Sequence, residues 1–225
     1  PDHSASTFLS SPEAVMWRTL IAEDSARQHE TALAINKPCQ HSDDENGYVA
    51  SGLGLAQGLK LNGISPFKDY SMGTHSTTSF AKGFFNTKSG DIYACAENKI
   101  TARAEDVAAS LFDYDAKFIN PALGLMKEYN AEDGSFTGGV IEKTNAHHHI
   151  MYQRFNLPPP MIDREIISAI TWKRMSATSI MVVYSPLKTH PLVEDKDGGE
   201  MIRATLTSVF IATQLDSKTC SVECN

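Results

Sequence analysis

The second half of the chain restricts its fold most, because apolar residues return there at every second position through one short run after another. Successive side chains of a strand face opposite ways, so each such row puts its apolar members on one side of a sheet. On this reading Ile166, Ile170 and Trp172 share a face, as do Ile180, Val182 and Tyr184. Met151 and Phe155 are in step with each other, and so are Ile202, Ala204, Leu206 and Phe210. Strands are therefore expected near Gly139 to Thr144, His147 to Phe155, Glu165 to Trp172, Thr178 to Tyr184, Met201 to Thr213 and Thr219 to Cys224. Three earlier runs, around Phe67 to Met72, Thr77 to Phe85 and Ile92 to Ile100, have the same character and are separated by glycine-containing turns.

Helices interrupt the two sets of strands. Thr101 is placed to cap a helix in which Val107, Ala108, Leu111 and Phe112 share a face, and a second short helix is expected over Pro121 to Tyr129. Strands, then helices, then strands again describe an α+β chain with a curved antiparallel sheet wrapped around helices, not alternating βαβ units. An additional N-terminal helix is signalled by Ser11, Pro12 and Glu13, a hydroxyl cap followed by proline where no amide partner is needed. Val15, Met16, Leu20 and Ile21, then Leu33 and Ile35, give it an incomplete apolar stripe as far as Asn36, where Lys37 and Pro38 stop it. From His41 to Gly63, the acidic run Asp43, Asp44, Glu45 and the glycines at 47, 52, 54, 58 and 63 read as a loop or linker. The expected division is an N-terminal helix with a glycine-rich linker over 1–61 and one domain over 62–225.

A formal net charge of -7 supplies no basic field for phosphate backbones, so nucleic acid is not an expected partner. Lys173 and Arg174 read as a solvated strand end. No stretch approaches the roughly 20 apolar residues that span a bilayer, and no signal-peptide pattern opens the chain, so a cytoplasmic protein, at most peripheral to membranes, is expected. Cys39, Cys95, Cys220 and Cys224 are too scattered for a disulfide scaffold or a paired zinc site and read as free thiols.

An ordered series of short motifs resembles the START family of lipid-transfer domains. Leu111, Phe112, Asp113, Tyr114 and Asp115 are similar to the end of that family's helix after its third strand. Pro158, Pro159 and Pro160 with Asp163, Arg164 and Glu165 resemble its proline-rich turn and Arg-acid pair, followed by Trp172, Lys173 and Arg174 at a strand end. Tyr184 and Ser185, then His190 and Pro191 in a loop, then Gly199 leading to Met201, Ile202, Arg203 and Ala204 continue the series over roughly residues 62 to 225. The resemblance implies a helix-grip fold around a cavity for one lipid, whether phospholipid, sterol or another acyl lipid, with transient contact to a membrane surface and no cofactor. The family's C-terminal helix has no counterpart here, so the domain is expected to be truncated at that end. An acid and an arginine that some steroid-binding relatives bury fall near Met151 and Ile170, which argues against a steroid.

The expected wall of the cavity is Met151, Phe155, Ile166, Ile170, Trp172, Val182, Tyr184, Ile202 and Leu206, and the loop from Pro186 to Gly199 resembles the family's gate. Arg164 with Asp163 or Glu165, and Arg203 with a carboxylate, are expected to be structural ion pairs. His147, His148 and His149 alternate faces on a strand, so at most two converge on one ion and no metal site is expected. The segment from Ser51 to Gly58 matches a dinucleotide glycine loop only loosely. There is no GxSxG, and Ser185 with His190 is too loose a pair for a nucleophile, so catalysis is not expected. Two alternatives stay open: an acyl-thioester hydrolase or cyclase on the same fold, and a lipid-sensing regulatory module of a larger protein.

Overall fold

The structure, a computed structural model, describes residues 25–61, 80–85, 92–113, 138–155, 160, 162–193 and 201–225. The expected strand at Phe67 to Met72, the helix at Pro121 to Tyr129 and the helix start at Ser11 lie outside these residues. Residues 25–35 are helical (α1) and give way to a turn at Asn36 and Lys37, just ahead of Pro38. Ala32 and Ile35 are the buried residues of α1, whereas Leu33, assigned to its apolar stripe from sequence, is exposed.

The expected linker is instead a 19-residue helix, Asp43–Leu61 (α2). Its glycines conceal a helix start that the sequence does carry. Ser42 and Glu45 form a reciprocal capping box, with the Glu45 amide donating to Ser42 Oγ at 3.2 Å and the Ser42 amide donating to Glu45 Oε2 at 2.7 Å. Asp43, Asp44 and Glu45 occupy the first turn, where the helix dipole favours negative charge.

The strands follow as β1 Phe80–Phe85, β2 Ile92–Ile100, β3 Gly138–Asn145, β4 His148–Phe155, β5 Asp163–Arg174, β6 Ser179–Pro186, β7 Met201–Arg203, β8 Ser208–Gln214 and β9 Cys220–Cys224, with helix α3, Ala104–Phe112, between β2 and β3. They form one curved sheet in the order β1-β2-β9-β8-β6-β5-β4-β3, antiparallel throughout, to which β7 adds a short parallel pairing with β5. The single run read from Met201 to Thr213 is thus two strands. Residues 201–203 pair with the first residues of β5, and residues 208–214 pair with β6, so the chain leaves the ladder at 204–207 to change partners. The α3 cap also differs from expectation, since Arg103 takes the cap position without a side-chain bond to the helix backbone and the Ala104 amide donates to Gln214 Oε1 at 2.6 Å.

Register fixes which face each row takes. Trp172, Val182, Phe210 and Cys224 stand opposite one another in successive strands, and so do Ile180, Ala212 and Val222. That face packs under α1 and α3 in one cluster with Ala32, Ile35, Ala108, Ala109 and Phe112. The alternate residues Met181, Val183 and Val209 pack under α2 with Val49 and Ala56.

Candidate functional site

Helix α3 presents Ala104, Ala108 and Ala109 to the sheet, and these small side chains let it lie close to Trp172, Val182 and Tyr184. Met151, Ile170, Trp172, Val182 and Tyr184, five of the nine wall residues expected from sequence, are buried in this one cluster. Tyr184 also donates from its hydroxyl to the Leu111 carbonyl at the end of α3. Ile166 is buried beyond the cluster, while Ile202 and Leu206 lie at the surface, 42% and 40% exposed, where the chain changes partners. Phe155 belongs to β4, but its side chain is not among those described.

Among the described residues, none of the nine lines the open space that the structure shows. A pocket of about 330 Å³ sits between α1, the end of α3 and the β3–β4 edge. Ala34, Phe112, Val140 and Ala146 give it apolar surface, and Arg27, Glu30, Asp113 and Lys143 bring charge of both signs. Arg27 and Asp113 pair at 3.7 Å from the two helices. His149 is a further lining residue, with its ring 4.2 Å from that of Phe112. Alternation along β4 places His149 on the same side as Met151, so the pocket adjoins the proposed wall. Alternation in the sequence picks out Met151, but the α1 and α3 residues of this pocket are too far from it in the chain to be linked by any local signal.

A second constellation ties α2 to the sheet. Glu45, buried, accepts from Asn145 Nδ2 at 2.8 Å and lies 3.1 Å from His147 Nε2, besides closing its own capping box. Burial pushes its carboxyl up, but hydrogen bonds from Asn145 and the Ser42 amide, with His147 alongside, outweigh burial and hold it at about 2. The His41 ring lies 4.5 Å from that of His147, and its Nε2 donates to the Trp172 carbonyl at 2.9 Å. Burial pushes His41 down, and it does the same to His148, which bonds Thr171 Oγ1 at 2.7 Å and stacks on Tyr48. Two of the three consecutive histidines thus belong to opposite faces, His149 beside Phe112 and His148 under α2. No group of three or more potential metal ligands occurs among the described residues.

Arg203 meets Glu165 through Nε at 2.8 Å and through Nη2, and donates from Nη1 to the Lys188 carbonyl at 2.8 Å. Tyr152 adds a hydroxyl donor to Glu165 at 3.0 Å, so β4, β5, β7 and the loop after β6 meet at one buried carboxylate. Arg164 donates instead to the carbonyls of Ile162 and Asp163. His190 accepts the Leu192 amide at Nδ1, which leaves the Nε2 proton to point at Glu142 Oε2, 3.1 Å away. Both ring nitrogens are engaged, and neither contact is to Ser185. None of the four cysteines forms a disulfide among the described residues.

No family model matches the sequence, and no curated protein does either. Among solved structures, human STARD10 superposes with a TM-score of 0.52 over 84% of this chain and 68% of that one, at 13% identity. The chain has the START fold. Human StAR-related lipid transfer protein 5 covers 80% of this chain and 81% of its own at 10% identity, with a TM-score of 0.49. A STAR-related lipid transfer protein fragment from Xanthomonas axonopodis covers 68% and 78% at 14% identity, with a TM-score of 0.48. At these identities the likeness is one of fold. Among the described residues no helix is long and apolar enough to cross a membrane.

Proposed function

We propose that this START fold binds one hydrophobic lipid and carries or senses it at membranes, with the ligand's apolar part held between α1, α3 and the β3–β4 edge. The observation that supports this reading is the 330 Å³ pocket, apolar at Ala34, Phe112, Val140 and Ala146 and charged around them. A molecule with one greasy end and one polar end matches that division. The volume is at the small end of ligand pockets, which run from about 300 to 1,000 Å³. A single acyl chain suits it better than a two-chain lipid. Burying a methylene contributes about 0.8 kcal/mol, so a 16-carbon chain must recover on the order of 13 kcal/mol that the membrane already provides.

Contact with a membrane would fall to the exposed apolar residues near β7, namely Ile162, Ile202 and Leu206, with Leu192 in the tethered loop after β6. Mass spectrometry of organic extracts from the purified chain, together with loading of a fluorescent fatty acid, tests the proposal. A bound acyl lipid is expected, and Ala34→Trp, which fills the pocket from α1, is expected to abolish loading while circular dichroism stays unchanged. Extracts that are repeatedly empty, with no lipid taken up, would overturn the reading.

A further inference from the structure

A second pocket, of about 400 Å³, opens where α1 ends against the β5–β6 turn, and its charge is of one sign. Lys37, Lys173 and Arg174 line it together with Asn36, His41 and Ser176, and among the described residues no carboxylate does. In a chain with 27 acidic and 20 basic residues this concentration of cations is unusual. Arg174 is immobilised, donating to the Ile35 carbonyl at 3.3 Å, the Ala177 carbonyl at 3.1 Å and Asn36 Oδ1 at 2.9 Å. Glu105, 3.1 Å from its Nη2, offsets its charge. Lys173 donates to a neutral group, Asn46 Oδ1, at 2.8 Å, so its charge is positioned without being cancelled. Lys37 makes no ion pair among the described residues. Glu45, the acid behind the pocket, is bonded to Ser42, Asn145 and His147; it keeps its negative charge but does not line the pocket.

We infer that this pocket binds a phosphate group, carried either by the headgroup of an anionic lipid or by a soluble phosphate ester. Two uncancelled positive charges match the charge of about -1.5 to -2 on a phosphate monoester at neutral pH. Asn36 and Ser176 add neutral hydrogen-bonding groups beside them. The site is separate from the proposed lipid pocket and does not rest on it.

Amide chemical shifts of the full chain titrated with inorganic phosphate test binding, and sedimentation with phosphatidylcholine vesicles containing or lacking phosphatidic acid tests the membrane source. Saturable, salt-sensitive shifts at Asn36, Lys37 and Ser176 are expected, together with vesicle binding that requires phosphatidic acid. In the double variant K37Q/K173Q that binding is expected to weaken about thirtyfold. Ser176→Asp, which places a negative charge in the pocket without removing a lysine, is expected to have the same sign of effect. Acyl-lipid loading should be unchanged in both variants, which separates this site from the other pocket. Phosphate shifts without vesicle binding assign the site to a soluble ester, and vesicle binding alone assigns it to a lipid headgroup. Failure of both, or binding indifferent to K37Q/K173Q and S176D, overturns the inference.

Discussion

Helices cover the two faces of the sheet in different ways. On one face α1 and α3 meet large side chains of the sheet, Trp172, Ile180, Val182 and Tyr184, with alanines and single larger residues of their own, and beside this packing a hollow remains toward β3. On the other face one long helix, α2, lies against Met181, Val183 and Val209, and its N-terminus is held by the polar junction at Glu45. The face with mismatched partners keeps an unfilled space at its edge. The opposite face is closed by a close helix approach and by hydrogen bonds.

Removing Trp172 should have the largest effect, because it serves both faces. Its ring fills the α1/α3 cluster and its Nε1 donates to the Ala146 carbonyl at 2.9 Å, while its own carbonyl holds His41 ahead of α2. Trp172→Ala is expected to destabilise the fold by about 3–5 kcal/mol, read from chemical denaturation. A loss below about 1 kcal/mol would mean that the faces are not coupled through this residue.

Glu45→Ala comes next, at about 2–3 kcal/mol, since it leaves Asn145 and His147 without their carboxylate and opens the capping box. The same group sets a pH dependence. Its carboxyl lies at about 2 in the folded chain against 4.5 ordinarily, so the unfolded chain binds the proton more tightly. Its stabilisation is complete above 4.5 and disappears as pH falls toward 2. His41 and His148 are also depressed, so their contribution is complete above 6.5 and is lost as pH falls below that value. Denaturation midpoints should therefore drop in two stages on acidification, and Glu45→Ala should flatten the lower one.

Much of the sheet is legible in the sequence because a period of two leaves few alternatives. Ile180, Val182 and Tyr184, and Ile170 with Trp172, do share one face, and Thr178 to Tyr184 is within two residues of β6. What escapes local reading depends on partners distant in the chain. The parallel pairing of β7 with β5 divides a run that looks continuous, and Leu206 is left at the surface where the chain crosses over. The amide of α3 finds its cap in Gln214, which no nearby residue could announce. Helix α2 escapes for another reason. Ser42 and Glu45 give a proper start signal, but the glycines that follow lower helix propensity, and only the packed sheet offsets that cost. The lining of the 330 Å³ pocket is drawn from α1, α3, β3 and β4 and has no sequence signature of its own.

Those glycines sharpen the comparison through the smallest effects. A Cβ on Gly52 would meet Val183 Cγ2 at 3.0 Å and Val209 Cγ2 at 3.1 Å, so this glycine is what lets α2 approach the sheet so closely. Gly52→Leu is expected to cost about 1–3 kcal/mol by forcing the helix outward. Gly54 lies in the same helix with nothing within 4 Å of its would-be Cβ. There a methyl group meets only solvent, and the helix gains propensity while the unfolded chain loses freedom. Gly54→Ala should therefore stabilise by about 0.4–1 kcal/mol, seen as a higher denaturation midpoint at unchanged slope. If Gly54→Ala destabilised while Gly52→Leu were neutral, α2 would have to present its other side to the sheet, and the back face would not be closed in the way its contacts describe.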